Sequence, residues 1–128
     1  MKNYLLDTNY LLRFLLKDNL VQASAAQQVI LQAKAGKVSV MIQVIVIMEV
    51  FHALFNLYKW SKPKVISALI EICSSEFLEI EKREELISAL ELYKKKNISL
   101  VDCMLYVYAK NMNLELLTFD AKLQKLKK

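Results

Sequence analysis

The chain is poor in the residues that build most catalytic loops: one glycine, one proline, one histidine and two cysteines among 128 positions. With Gly36 alone, no Gly-rich phosphate loop, G-x-G-x-x-G turn or G-x-S-x-G nucleophile elbow can be written. His52 alone excludes an H-E-x-x-H zinc site, and Cys73 and Cys103 beside it make a poor zinc shell. Those two cysteines, thirty residues apart, form no disulfide framework, so a reducing cytoplasm is expected. The longest apolar run, residues 40–55, is interrupted by Gln43, Glu49 and His52. A membrane span needs ~20 apolar residues with few charges at its centre. Glu49 inside the run and Lys59 just beyond it point instead to a core helix. The apolar run near the amino terminus is too short for a signal peptide. A soluble, single-domain protein over residues 1–128 is expected.

What the chain has in surplus is positive charge, 18 Lys and Arg against 13 Asp and Glu, a net +5. That balance favours an anionic partner, nucleic acid above all. Lysines gather at Lys59, Lys62 and Lys64, at Lys94, Lys95 and Lys96, and at Lys122, Lys125, Lys127 and Lys128. Such runs also serve simply as solvated helix ends.

Periodicity and punctuation give strands at 2–6, 38–42, 77–80 and 115–118. Helices fall at 10–16, 21–35, 44–58, 63–73, 83–95 and 99–111, with a short last one from Asp120. Gly36 reads as a helix C-terminal cap and Pro63 as a first-turn residue. Strands alternating with helices imply an α/β fold with a parallel sheet covered on both faces. In such sheets ligands bind beyond the carboxyl ends of the strands.

Four acids lie where that rule directs attention. Asp7 ends the first strand, Asp120 ends the last, and Asp102 follows Ser99 at the start of a helix. Each has a structural explanation as a cap, Ser99-x-x-Asp102 being close to a capping box. Glu49 caps nothing. It stands in a helix apolar nearly all round, where an unpaired carboxylate costs several kcal/mol. Its local helical neighbours offer only His52 as a partner; a lysine or a metal shared with Asp7 and Asp102 are the alternatives. Oxygen-rich side chains of this kind suit Mg²⁺ or Mn²⁺ rather than zinc.

Asp7-Thr8-Asn9 with Leu11-Leu12-Arg13, then Glu49, then Ser99-x-x-Asp102, then Thr118-Phe119-Asp120, resembles a PIN domain. Within that family the short length is similar to the VapC-like toxin ribonucleases. The resemblance runs from Leu5 to Asp120 and implies a three-layer α/β/α fold with four or five parallel strands. It implies metal-dependent RNA hydrolysis leaving 5′-phosphate and 3′-hydroxyl ends, with Asp7, Glu49, Asp102 and Asp120 as the catalytic, metal-binding acids. Asn9, Ser99 and Thr118 match supporting polar positions, while Arg13 and the lysines are candidates for the RNA backbone. An antitoxin protein and a homodimer through the apolar helices around Phe51, Phe55, Tyr58 and Trp60 are the expected partners.

Other chemistries with an aspartate after strand one fit less well. A haloacid-dehalogenase site wants a second aspartate where Asn9 stands, and a response-regulator receiver wants an acidic pair that is missing. A PIN nuclease of RNA maturation or decay, and a non-catalytic module that binds a partner helix, are the alternatives left open.

Overall fold

The computed structural model describes residues 1–126; Lys127 and Lys128 of the terminal lysine cluster lie outside the described residues. Three strands, β1 (Lys2–Leu5), β2 (Val38–Ile42) and β3 (Glu79–Ile80), form a parallel sheet in the order β1-β2-β3. Lys2 pairs with Val38 and Leu5 with Met41, and Met41 in turn with Glu79. The α-helices are α1 (Thr8–Leu16), α2 (Leu20–Lys34), α3 (Val44–His52), α4 (Lys62–Cys73), α5 (Arg83–Lys95), α6 (Leu100–Asn111) and α7 (Ala121–Leu126). The chain divides into two compact units, residues 1–82 and 83–128. An α/β fold with a parallel sheet is thus the one the residues implied.

The first unit holds the whole sheet. Its core is Leu11, Val40, Ile42, Ile47, Val50, Leu54, Val65 and Leu69, all essentially without solvent contact. Helix starts and stops arise from local chemistry. Asn19 caps α2 by accepting from the Gln22 N–H, and Ser61 caps α4 by accepting from Lys64, with Pro63 in the first turn. Gly36, at φ 76°, ends α2: its N–H donates to the Ala33 carbonyl and that of Lys37 to Gln32. These paired bonds are the left-handed helix stop that glycine makes without strain. Gln43 gives α3 no side-chain cap; the Glu81 carboxylate accepts from the Val44 N–H instead, at 2.9 Å.

In the second unit α5 turns Leu86, Ala89, Leu90 and Tyr93 inward, and α6 buries Leu100, Cys103, Met104 and Val107. Burial, with Cys103 nearby, raises the Tyr93 phenol above its ordinary pKa.

Three expectations are corrected. No strand forms at 115–118, so the described residues hold three strands and not four or five. Leu114, Leu117 and Phe119 are exposed there, and the sheet of the described residues comprises β1, β2 and β3 alone. Apolar, β-prone residues become a strand only when a ladder receives them. The third strand begins at Glu79, not Phe77, because the Leu78 N–H is taken by the Ser75 carbonyl in a turn. The helix expected at 44–58 is α-helical to His52 and then widens into a π-turn at Ala53–Leu57. It is also less buried than its composition suggested, since Ile45, Leu57 and Tyr58 face solvent. No helix among the described residues is long and apolar enough to cross a membrane.

Candidate active site

Adjacent parallel strands deliver the first two acids to the same sheet edge. β1 leads through Leu6 into Asp7, and β2 leads through Gln43 into α3, which carries Glu49. Asp7 is the N-cap of α1, where its Oδ1 accepts from the Tyr10 N–H at 2.8 Å. The capping role read from the sequence is therefore real, but it occupies one carboxylate oxygen. Thr8, the next residue, donates from Oγ1 to Glu49 Oε1 at 2.7 Å. Glu49 is exposed rather than enclosed by its apolar neighbours, which corrects the desolvation expected from the sequence, and this hydroxyl is its hydrogen-bond partner. His52 is not that partner: its Nδ1 lies 3.0 Å from the Asn56 amide nitrogen. Sequence reasoning missed Thr8 as the residue that orients Glu49.

From Asp7 a cleft of about 200 Å³ runs along α1, lined by Asp7, Asn9, Tyr10 and Arg13 and closed by Gln22 and Ala25 of α2. Asn9 and Arg13 are four residues apart and share a helix face. Arg13 is anchored twice: Nη1 to Asp18 Oδ1 at 2.6 Å and Nη2 to the Tyr58 hydroxyl at 3.2 Å. The Tyr58 hydrogen bond first of all, with Asp18 adding, raises the Arg13 pKa above its ordinary value. Because the Asp18 side chain is 44% exposed, solvent screens the pair and it adds little to stability. Its consequence is geometric rather than energetic. Tyr10, Gln22, Asp18 and Tyr58 carry no motif that marks them in the sequence; the turn between α1 and α2 is what gathers the first three around the cleft.

In the second unit, Ser99 caps α6 by accepting from the Asp102 N–H at 3.1 Å. Among the hydrogen bonds of the described residues, no reciprocal bond from the Asp102 carboxylate completes a capping box. Asp120 Oδ1 accepts from the Leu123 N–H at 3.0 Å and so caps α7. Thr118 supports it twice, Oγ1 accepting from the Asp120 N–H and the carbonyl from the Gln124 amide. Lys122, two residues on, donates to the Asn97 carbonyl. Within each unit, then, one aspartate caps a helix and one acid does not.

The acids singled out from the sequence offer carboxylate oxygens, a donor type that suits a hard divalent cation and not zinc. Among the described residues, no three His, Cys, Asp or Glu side chains stand grouped as a finished metal cage.

A VapC ribonuclease of Aquifex aeolicus (strain VF5) is 29% identical over 82 residues, covering 63% of this chain and 61% of the relative. The chain thus matches about three fifths of that relative's length. The PIN domain pattern matches residues 4–128, nearly the full length. With a parallel sheet whose edge presents Asp7 beside the Glu49 helix, and a match from Tyr4 to the carboxyl terminus, the chain belongs to the PIN domain family.

Proposed function

We propose that this protein is a Mg²⁺- or Mn²⁺-dependent endoribonuclease, with Asp7, Glu49, Asp102 and Asp120 as its catalytic and metal-holding acids. The observation that carries the reading is the bond from Thr8 to Glu49. It joins residues 41 positions apart and sets Glu49 beside the start of the Asp7 helix. A bound divalent ion supplies a Lewis acid and a water acidic enough to be a nucleophile near neutral pH. The chain's own residues do the positioning. The Tyr10 N–H fixes one oxygen of Asp7, and Thr8 fixes one oxygen of Glu49. Asn9 offers an amide to the cleft, and Arg13 offers a planar cation suited to a phosphate. Ser99 and Thr118 hold the helix starts that carry Asp102 and Asp120. Lysines at 94–96, 122 and 125 add attraction for an RNA backbone.

The test is incubation of the purified protein with single-stranded RNA and Mn²⁺, with and without EDTA. Cleavage that EDTA stops and excess Mn²⁺ restores, leaving 5′-phosphate ends, is the expected result. RNA cut equally well in EDTA, or left intact under both conditions, overturns the proposal.

Similarity to a VapC ribonuclease supports a toxin's role in the cytoplasm with an antitoxin protein as inhibitor, ahead of RNA maturation or decay. A groove of about 520 Å³ lined by Phe14, Leu15, Ile30, Trp60 and Ile72 suits the apolar face of an antitoxin helix. Self-association is part of the same reading. Phe51 and Phe55 stack on one another and are half-buried, and Lys64 lies over the half-buried Trp60, so these rings are less exposed than composition implied. Ile45 and Leu57 on the same helical segment remain exposed, at 62% and 73%. A homodimer through this segment is expected in sedimentation at micromolar concentration. A monomer there, or a dimer undisturbed by Leu57→Glu, contradicts it.

A further inference from the structure

We infer that Tyr58 and Asp18 are positioning residues that hold the Arg13 guanidinium at the end of the cleft away from Asp7, where it takes an RNA phosphate flanking the one that is cut. The inference rests on the ribonuclease reading and deepens it by specifying a second substrate contact. Six residues of helix separate the backbone of Arg13 from that of Asp7, a rise of roughly 9 Å. An arginine side chain is long enough to swing back over much of that distance. The two anchors prevent this. Asp18 lies beyond the carboxyl end of α1 and draws Nη1 that way, while the Tyr58 hydroxyl accepts from Nη2. Nε is buried and meets no acceptor among the described residues, so the guanidinium is steered by its terminal nitrogens. Their remaining N–H donors are those available to a phosphate.

Two departures from regular backbone adjoin the anchors. The π-turn at Ala53–Leu57 closes with the Tyr58 N–H donating to the Ala53 carbonyl, five residues back. One extra residue in a turn rotates the downstream chain by about 100°, and such insertions often mark functional sites. Tyr58 is the first residue after it. Lys17, just before Asp18, and Lys59, just after Tyr58, both take left-handed φ values, 57° and 58°. That conformation is uncommon for residues with a Cβ. Both flanking backbones are thus bent at the positions that present the anchors.

The experiment compares native protein with Tyr58→Phe, Asp18→Asn, Arg13→Lys and Arg13→Ala. Substrates are a short single-stranded RNA and a dinucleotide whose single phosphate is the scissile one. On the longer RNA, Tyr58→Phe, Asp18→Asn and Arg13→Lys are expected to raise KM about five- to tenfold, the scale of one charge-assisted hydrogen bond. The kcat of Tyr58→Phe and Asp18→Asn should stay within about twofold, and their KM for the dinucleotide should be native, because that substrate has no flanking phosphate. Binding of the longer RNA to an Asp7→Asn protein should lose about 0.7 from its salt slope on adding Arg13→Ala, and nothing on adding Tyr58→Phe. Native KM for the longer RNA in the Tyr58 and Asp18 variants, or a fall in kcat at unchanged KM, overturns the inference while leaving the ribonuclease reading intact. A native protein that neither cuts nor binds RNA overturns the ribonuclease reading itself, and this inference with it.

Discussion

Glu49→Gln is expected to lower RNA cleavage on the order of 10³-fold, about 4 kcal/mol of transition-state stabilisation, without lowering the melting temperature of the metal-free protein. Glutamine keeps an oxygen that can accept from Thr8, so the bond joining α1 to α3 survives. What the substitution removes is charge, from an exposed position on an otherwise apolar helix segment. Loss of that charge at an exposed position costs the fold little, while it takes away one of the proposed ligands of the cation. Thr8→Val is the informative contrast. It leaves the carboxylate charged but unoriented, so cleavage should fall ~10–100-fold, the range for partners that orient metal ligands. Its stability should drop by about 1 kcal/mol for the lost hydrogen bond. Initial cleavage rates and thermal melts in EDTA check both variants. Cleavage by Glu49→Gln within tenfold of native contradicts the role given to this residue.

The parts of the site that were legible from sequence are those fixed by local rules. Asp7 and Asp120 cap helices because each stands immediately before a helix, and capping is a matter of three or four adjacent residues. Glu49 was legible as an anomaly, a charge inside an apolar run. Its partner was not, since helical i±3 and i±4 spacing reveals His52 and never a threonine 41 residues upstream. Arg13 could be named as a cation beside the D-T-N segment, whereas its hold on Tyr58 depends on a π-turn. Residues 44–58 contain no glycine or proline to announce that turn. The strand read at 115–118 failed for a related reason. Apolar spacing reports what a segment could bury, but a strand also needs an edge to pair with, and pairing is a tertiary event. The register of β1 on β2 was likewise beyond the sequence, although the parallel sense came from the alternation of strands and helices.

The second large effect concerns the metal and stability. A ligand that binds only the folded chain stabilises it by RT ln(1 + [L]/Kd), about 2.7 kcal/mol at a hundredfold excess over Kd. For a chain of this size that corresponds to a rise in melting temperature on the order of 10 °C. Asp7→Asn separates the cap from the cation. Asparagine caps about as well as aspartate, so metal-free stability should stay close to native while the metal-induced rise is largely lost. Asp102→Asn asks the same of the second unit. Its backbone N–H still bonds Ser99, so α6 keeps its start. The decisive measurement is a thermal melt of native, Asp7→Asn, Glu49→Gln and Asp102→Asn proteins across a Mn²⁺ titration. The expected result is a saturable rise for the native protein that each of the three substitutions removes for the most part. A native melting temperature that does not move with Mn²⁺, or a rise that survives all three substitutions, contradicts a metal site built from these acids.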